Sequence, residues 1–291
     1  MNNDSSRIAY IIGNNNYQEL KSLQGSVNDA NLMDETLKKC GFSTNKFTNL
    51  NYNDFREKIN EFKHNCMGYN VGLFYYAGHG FEYKGDNYLC PIDSKIDSLQ
   101  ETNINISGLV NEISKDRDFV GIVILDCCRN ICDSGDRGNV SVNDMIPNFK
   151  NTGGTYVAYG TTSGESALEH GNHGIYTKLL CEHITEENKQ IEQVFKDVRK
   201  DIINTTLHNE KIQIPWEYSS LVSDFCFIRK IPFDNINALV KNALDNKYQF
   251  KMIKQDVTDY CKKNNIKEQN GIFFDVLNTI DKMMEEYKCI I

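Results

Sequence analysis

The chain has 291 residues, 40% apolar, 25% charged and 11% aromatic with only 4 Pro, a composition that excludes collagen-like, low-complexity and disordered proteins. Its 32 Lys and Arg against 40 Asp and Glu leave a formal charge of −8. No overall basic field therefore draws it to nucleic acid or an anionic membrane, and a cationic partner fits better.

From residue 7 onward, short apolar runs alternate with segments of helical period. Ile8–Ile12 reads as a strand. Val27, Ala30, Leu32, Met33 and Leu37 recur near a 3.6-residue spacing and predict a helix over Val27–Cys40. Phe42–Phe47 follows as a strand, Phe55–Phe62 as a helix and Val71–Tyr76 as a strand. A hairpin-like stretch (Phe81–Cys90), a helix over Ile106–Ile113 and a strand over Val120–Leu125 come next. Near-continuous apolar strands separated by helices predict an α/β fold with a mostly parallel sheet covered on both faces. Residues 129–152 are a polar Asp-, Asn-, Gly- and Ser-rich run. Regular structure then resumes with a strand at Thr155–Tyr159, helices over Ile175–Ile184 and Ile191–Ile203, and a last strand at Asp224–Ile228.

These elements divide the chain into a sheet domain (1–231) and a C-terminal extension (232–291). The extension carries three segments of helical period, Ile236–Leu244, Met252–Cys261 and Ile272–Tyr287. Its nine Lys balance nine Asp or Glu, so the net acidity belongs to the sheet domain. It reads either as a helical embellishment or as a small adaptor domain open to an activating protein partner.

The ten Cys are spread along the chain without paired spacing. The N-terminus has neither the basic nor the apolar region of a secretion signal, and no apolar run approaches the roughly 18 residues of a membrane span. A reducing, cytoplasmic setting follows, with most thiols acting as buried hydrophobes and one available for chemistry.

In open parallel sheets, sites form at the carboxyl ends of the strands. One strand here ends Tyr75-Tyr76-Ala77-Gly78-His79-Gly80 and another ends Ile124-Leu125-Asp126-Cys127-Cys128-Arg129. The Gly-His-Gly turn presents an imidazole with little steric cover, and a thiol at a neighbouring strand end would complete a Cys/His pair for acyl transfer. Taken alone, a core histidine beside inert thiols explains the same residues.

The Tyr-Ala-Gly-His-Gly strand end, and the Asp-x-Cys-Arg strand end 49 residues beyond its His, resemble the caspase-fold cysteine peptidases of peptidase family C14. The likeness is to their paracaspase, metacaspase and bacterial caspase-like branches, and not to the caspases proper. Ile11-Ile12-Gly13-Asn14-Asn15-Asn16-Tyr17, Asn28-Asp29-Ala30 and Ile214-Pro215-Trp216-Glu217-Tyr218-Ser219-Ser220-Leu221 resemble the same group, the last most closely its bacterial members. The resemblance covers residues 7–230 and implies a caspase-like three-layer α/β/α sandwich. It implies a cysteine endopeptidase with a Cys128/His79 dyad and with the Gly80 and Cys128 backbone N–H groups as oxyanion donors. Cys127 then becomes a packed neighbour, since alternation along the strand puts it on the opposite side from Cys128.

The caspases proper carry Gln where this chain has Asp126. Asp29 and Glu169, with Glu165 as a fallback for Glu169, match the other acidic positions of a paracaspase S1 pocket. Converging carboxylates repel one another unless a cation joins them, and the planar, permanently charged guanidinium satisfies them best. The expected substrate is a protein or peptide cleaved after Arg, and secondarily after Lys. The polar run contains Arg137 and Lys150 as sites of self-cleavage. Its Asp133, Asp136 and Asp144 would be the place for Ca²⁺, although their spacing is not that of an EF-hand; otherwise no cofactor is expected. Cys127, Cys128 and Cys132 with His79 lack a second ligand pair for zinc, and no metal site is expected. His170 and His173 are alternative bases. Trp216 and Tyr218 read as a groove wall or as core aromatics. A catalytically silent scaffold that recruits partners through its C-terminal helices is the rival reading. Relatives of this kind include monomers and homodimers.

Overall fold

The computed structural model describes residues 7–83, 86–98, 101–113, 119–127, 130–131, 154–161, 169–170, 172–207, 212–222 and 224–229. In the C-terminal stretch it describes residues 254, 257–258, 277–282 and 285. In chain order the elements are β1 (Arg7–Gly13), α1 (Ser26–Lys39), β2 (Ser43–Thr48), α2 (Tyr52–Asn65), β3 (Val71–Gly78), β4 (Gly80–Tyr83), β5 (Asp86–Leu89), β6 (Ile104–Asn105) and α3 (Ser107–Ile113). They continue with β7 (Val120–Cys127), β8 (Asn130–Ile131), β9 (Thr155–Tyr159), β10 (Glu169–His170), β11 (His173–Gly174), α4 (Ile175–His183), α5 (Ile191–Thr206) and β12 (Trp216–Ser219).

The main sheet runs β12-β9-β7-β3-β1-β2, parallel except for antiparallel β12. Period-2 alternation sends its side chains to two cores. Ala9, Ile11, Leu73, Tyr75, Ile122 and Ile124 pack on one face with residues of α1, α4 and α5, among them Met33, Leu180 and Phe195. Ile8, Tyr10, Ile12, Phe74, Tyr76, Val123 and Leu125 pack on the other with Phe55 and Phe62 of α2 and Val110 of α3. The helices bury stripes of matching period: in α5, Ile191, Val194, Phe195, Val198 and Ile202 are all sequestered. Each such side chain stabilises the fold by about 1.5–3 kcal/mol. The result is the caspase-like α/β/α sandwich.

Alternation also assigns the residues at the end of β7. Asp126 falls on the face of Ile124 and so looks toward α1 and α4. Cys127 falls on the face of Leu125 and joins the α2/α3 core.

Two expectations are corrected. Asp224–Ile228 is not a strand: Cys226 and Ile228 make only isolated bridges to Gln190 and Glu187, while Phe225 and Phe227 are buried in the core. The chain drops these aromatics against the α4–α5 connection, and the sheet is finished earlier by β12. Nor is Trp216 a core aromatic, because on that edge strand it is 53% exposed. In the 129–152 run, Asn130–Ile131 forms β8, parallel to β4; residues 132–153 lie outside the described residues. The described parts of the second and third C-terminal segments are helical, and Lys254 Nζ reaches both Asp281 carboxylate oxygens at 2.5 and 2.7 Å. The first, 236–244, lies outside the described residues.

Candidate active site

The site is built at the carboxyl ends of β1, β3 and β7. Register pairs Gly13 with Ala77, Ala77 with Asp126, and Gly78 with Cys127. His79 is thus one residue past the end of β3, and Cys128 one residue past the described end of β7. Cys128 itself lies outside the described residues, with Arg129, Cys132, Asp133, Asp136, Arg137, Asp144, Lys150 and Glu165.

The Asn-rich loop after β1 shapes the His79 side. Buried Asn14 donates from Nδ2 to Cys90 C=O at 3.1 Å and accepts from Leu50 N–H at 3.0 Å, while Asn49 Oδ1 accepts from the Asn15 and Asn16 N–H groups. These bonds fix the path that brings Tyr17 and Lys21 to the histidine. His79 N–H donates to the Tyr17 hydroxyl at 2.7 Å, and the two rings lie 4.6 Å apart between centroids. Tyr76 Oη donates to the His79 and Cys90 carbonyls at 2.8 and 2.9 Å. With that proton so engaged, Tyr17 must donate across the 3.1 Å hydroxyl–hydroxyl contact. A Cβ at Gly78 would strike both hydroxyls, which explains the glycine before the histidine.

His79 Nε2 lies 2.6 Å from Lys21 C=O. A carbonyl only accepts, so Nε2 carries the proton and the neutral ring keeps its lone pair on Nδ1. Burial pulls the imidazole below its ordinary range, with the Lys21 carbonyl opposing. The ring is therefore a neutral base near pH 7, and the Lys21 carbonyl is a component that the sequence did not reveal.

Gly80 follows at the start of β4. Cys90 N–H donates to His79 C=O at 3.0 Å, which makes Gly80 and Leu89 a non-hydrogen-bonded pair. The Gly80 N–H accordingly points away from β5, toward the edge occupied by β8. A Cβ on Gly80 would come within 2.7 Å of Cys127 Sγ. Cys127 is thus a buried packing thiol beneath Gly80. Burial pushes the thiols of Cys40 up to about 11 and of Cys66 and Cys181 to about 12, so they stay protonated.

On the opposite face, Asp29 of α1 and Asp126 of β7 converge on Gly174. A Cβ there would lie 3.1 Å from Asp29 Oδ2 and 3.0 Å from Asp126 Oδ2. Gly174 N–H reaches both Asp29 oxygens, at 3.1 and 3.0 Å, and His173 Nδ1 lies 3.0 Å from Oδ1. Asp126 Oδ2 accepts from Thr177 Oγ1 at 2.6 Å, and Thr177 meets the Tyr75 hydroxyl at 2.5 Å. Burial pushes the Asp126 carboxyl up to about 6, with Thr177 partly opposing. Glu169 of β10 pairs in register with Gly174, so its backbone flanks the same point; its side chain lies outside the described residues. Thr177 and His173 are contributors that the motifs did not indicate. His173, read from sequence as an alternative base, faces Asp29 through Nδ1. Among the described residues, no three His, Cys, Asp or Glu side chains group to hold a metal ion, and no helix is long and apolar enough to cross a membrane.

Comparison with known proteins agrees with this architecture. Over 200 residues, 67% of this chain and 24% of the relative, the chain is 26% identical to human mucosa-associated lymphoid tissue lymphoma translocation protein 1. Over 189 residues, 62% of this chain and 44% of the relative, it is 29% identical to the paracaspase of Dictyostelium discoideum. It thus spans about a quarter of the first protein and under half of the second. The crystal structure of caspase-1 from Spodoptera frugiperda superposes with a TM-score of 0.59 at 17% identity, covering 80% of this chain and 93% of that one, and so shares the fold. The family profile described as the caspase domain matches residues 6–226, and this chain belongs to that family of cysteine peptidases, on its paracaspase- and metacaspase-like side.

Proposed function

We propose that the protein is a cysteine endopeptidase that cleaves protein substrates after Arg, and less readily after Lys, through Cys128 and His79. The observation that carries this reading is the register of β3 and β7. Gly78 pairs with Cys127, so His79, with a proton-accepting Nδ1, directly follows the strand end that neighbours the one leading into Cys128. In the reaction, the Cys128 thiol proton passes to His79 Nδ1 and the sulfur attacks the scissile carbonyl. The Gly80 and Cys128 N–H groups take the oxyanion, a preorganised contribution of about 10²–10³ in rate for such donors. Collapse of the adduct breaks the C–N bond, and the amine leaves with the proton from His79. Water, deprotonated by the same nitrogen, then hydrolyses the thioester and restores the thiol.

Asp29, Asp126 and Glu169 form the S1 pocket. Support comes from the convergence of Asp29 and Asp126 on Gly174. A guanidinium matches two converging carboxylates in charge and in planar geometry. Residues 1–231 form the peptidase unit and 232–291 a helical extension that takes a regulatory protein partner. Arg137 and Lys150 are sites of self-cleavage.

A fluorogenic panel with Arg, Lys or Asp at P1 tests the reading on wild type and Cys128→Ala. Cleavage after Arg above Lys, none after Asp, and none with Cys128→Ala is expected. Cleavage after Asp would overturn the pocket, and activity surviving Cys128→Ala would overturn the nucleophile. Silence toward every peptide, after dimerisation and Ca²⁺ have been tried, would favour the scaffold reading. Intact mass of wild type against Cys128→Ala checks self-cleavage.

A further inference from the structure

In the proposed pocket Asp29 has a basic neighbour, His173. His173, on β11, lies with Nδ1 3.0 Å from Asp29 Oδ1; its side chain is 35% exposed, while that of Asp29 is 5% exposed. The imidazole therefore stands between solvent and the buried carboxylate. Its backbone is held in place on both sides: Asn28 Nδ2 of α1 donates to Asn172 C=O at 3.0 Å, and the next residue, Gly174, donates its N–H to Asp29.

An ionised Asp29 oxygen only accepts, so His173 Nδ1 carries a proton in both charge states of the ring, which differ at Nε2. Protonation leaves the hydrogen bond intact and adds a full positive charge where a cationic side chain must come. The groups that face the ring from its neighbours are Asp29 of α1 and, across Gly174, Asp126 of β7. α4 presents neutral Thr177 to Asp126, and on β10 the register partners of His173 and Gly174 are His170 and Glu169. A protonated His173 beside Asp29 is therefore a direct competitor of the substrate's own cation.

We infer that His173 is a specificity-determining residue that sets the affinity of the acidic pocket for a cationic P1 side chain through its own charge. This inference rests on the proposed role of Asp29 and Asp126 as the S1 pocket. A positive charge on His173 opposes entry of Arg, so KM for an Arg substrate rises more steeply with acidification when residue 173 can charge than when it cannot. His173→Asn or His173→Gln keeps a hydrogen-bond donor near Asp29 and cannot charge, so the additional rise is lost.

The test is KM for a fluorogenic Arg peptide from about pH 8 to about pH 5 on the full chain, in wild type, His173→Asn and His173→Gln. The acid-induced rise in KM should be about tenfold larger in wild type than in either variant, the scale of one like-charge contact in a partly desolvated site. Ionisations of Cys128 and His79 are common to all three proteins and cancel in that ratio. Equal pH dependence in wild type and variants overturns the role of His173 while leaving the pocket standing. Absence of Arg cleavage in all three proteins at every pH overturns the pocket, and this inference with it.

Discussion

The two halves of the site are held in opposite ways. At the end of β3, His79 is fixed through its N–H by Tyr17, through its C=O by Tyr76 and Cys90, and through Nε2 by Lys21. Across the sheet, Asp29 and Asp126 are buried against each other with neutral donors and one half-exposed histidine. The first half is saturated with partners and needs nothing from outside. In the second, two buried carboxylates converge on one glycine, and burial raises the Asp126 carboxyl, a perturbation of the kind that clusters at functional sites. The two halves are separated by the alternation of Asp126 and Cys127, which point to opposite faces of the sheet.

The largest expected effect comes from breaking the first half. His79→Ala or Cys128→Ala should lower kcat/KM for Arg peptides by at least about 10³-fold, as measured by initial rates with an unchanged thermal midpoint. Retention of more than a tenth of the wild-type rate by either variant would show that the saturated half is structural only. Asp126→Asn breaks the second half. It should lower kcat/KM toward Arg by about 10²-fold, because a desolvated guanidinium loses a charged partner. An equal loss toward peptides with neutral P1 residues would mean that Asp126 supports the fold and does not select the substrate.

The fold was readable where burial was two-sided. The apolar runs of β1, β3 and β7 state their identity because each residue faces one core or the other. β12 was missed because it is a four-residue edge strand: Trp216-Glu217-Tyr218-Ser219 alternates aromatic and polar residues, but the run is too short to stand out and none of the four is buried. The Phe225–Phe227 segment looked like a strand for the converse reason: its aromatics are buried by packing under α4 and α5 without a ladder. In the site, His79, Asp29 and Asp126 were legible as motif side chains. The Lys21 contribution was not, since a backbone carbonyl has no signature in residue type. Nor was the His173–Asp29 pair, which joins positions 144 residues apart.

A smaller effect sharpens the contrast on the saturated side. Tyr17→Phe keeps the ring beside His79 and removes the hydroxyl that accepts from its N–H and donates to Tyr76, leaving the backbone donor unpaired at a cost of about 1–3 kcal/mol. Tyr17 is a positioning residue, so kcat should fall about tenfold with KM for Arg peptides nearly constant. General loosening of the site would move both.

The least conspicuous prediction concerns stability, and it follows from the second half. Asp126 sits near 6 in the folded protein, above its ordinary value of 3.8. The folded state thus holds this proton more tightly than the unfolded chain. Its contribution to stability is complete below the unfolded pKa and is lost as pH rises through the folded one, so ionised Asp126 destabilises the empty protein at neutral pH, by up to about 3 kcal/mol. Asp126→Asn removes that penalty. The variant should melt several degrees above wild type near pH 7.5, with the gap narrowing as pH falls through the folded value and closing only below 3.8, where Asp126 is neutral in both states. A saturating Arg-containing inhibitor should raise the melting point of wild type more than that of the variant, because the ligand's positive charge offsets that of the carboxylate. If the variant melts lower than wild type at pH 7.5, the buried carboxylate is already compensated, and the contrast between the two halves disappears.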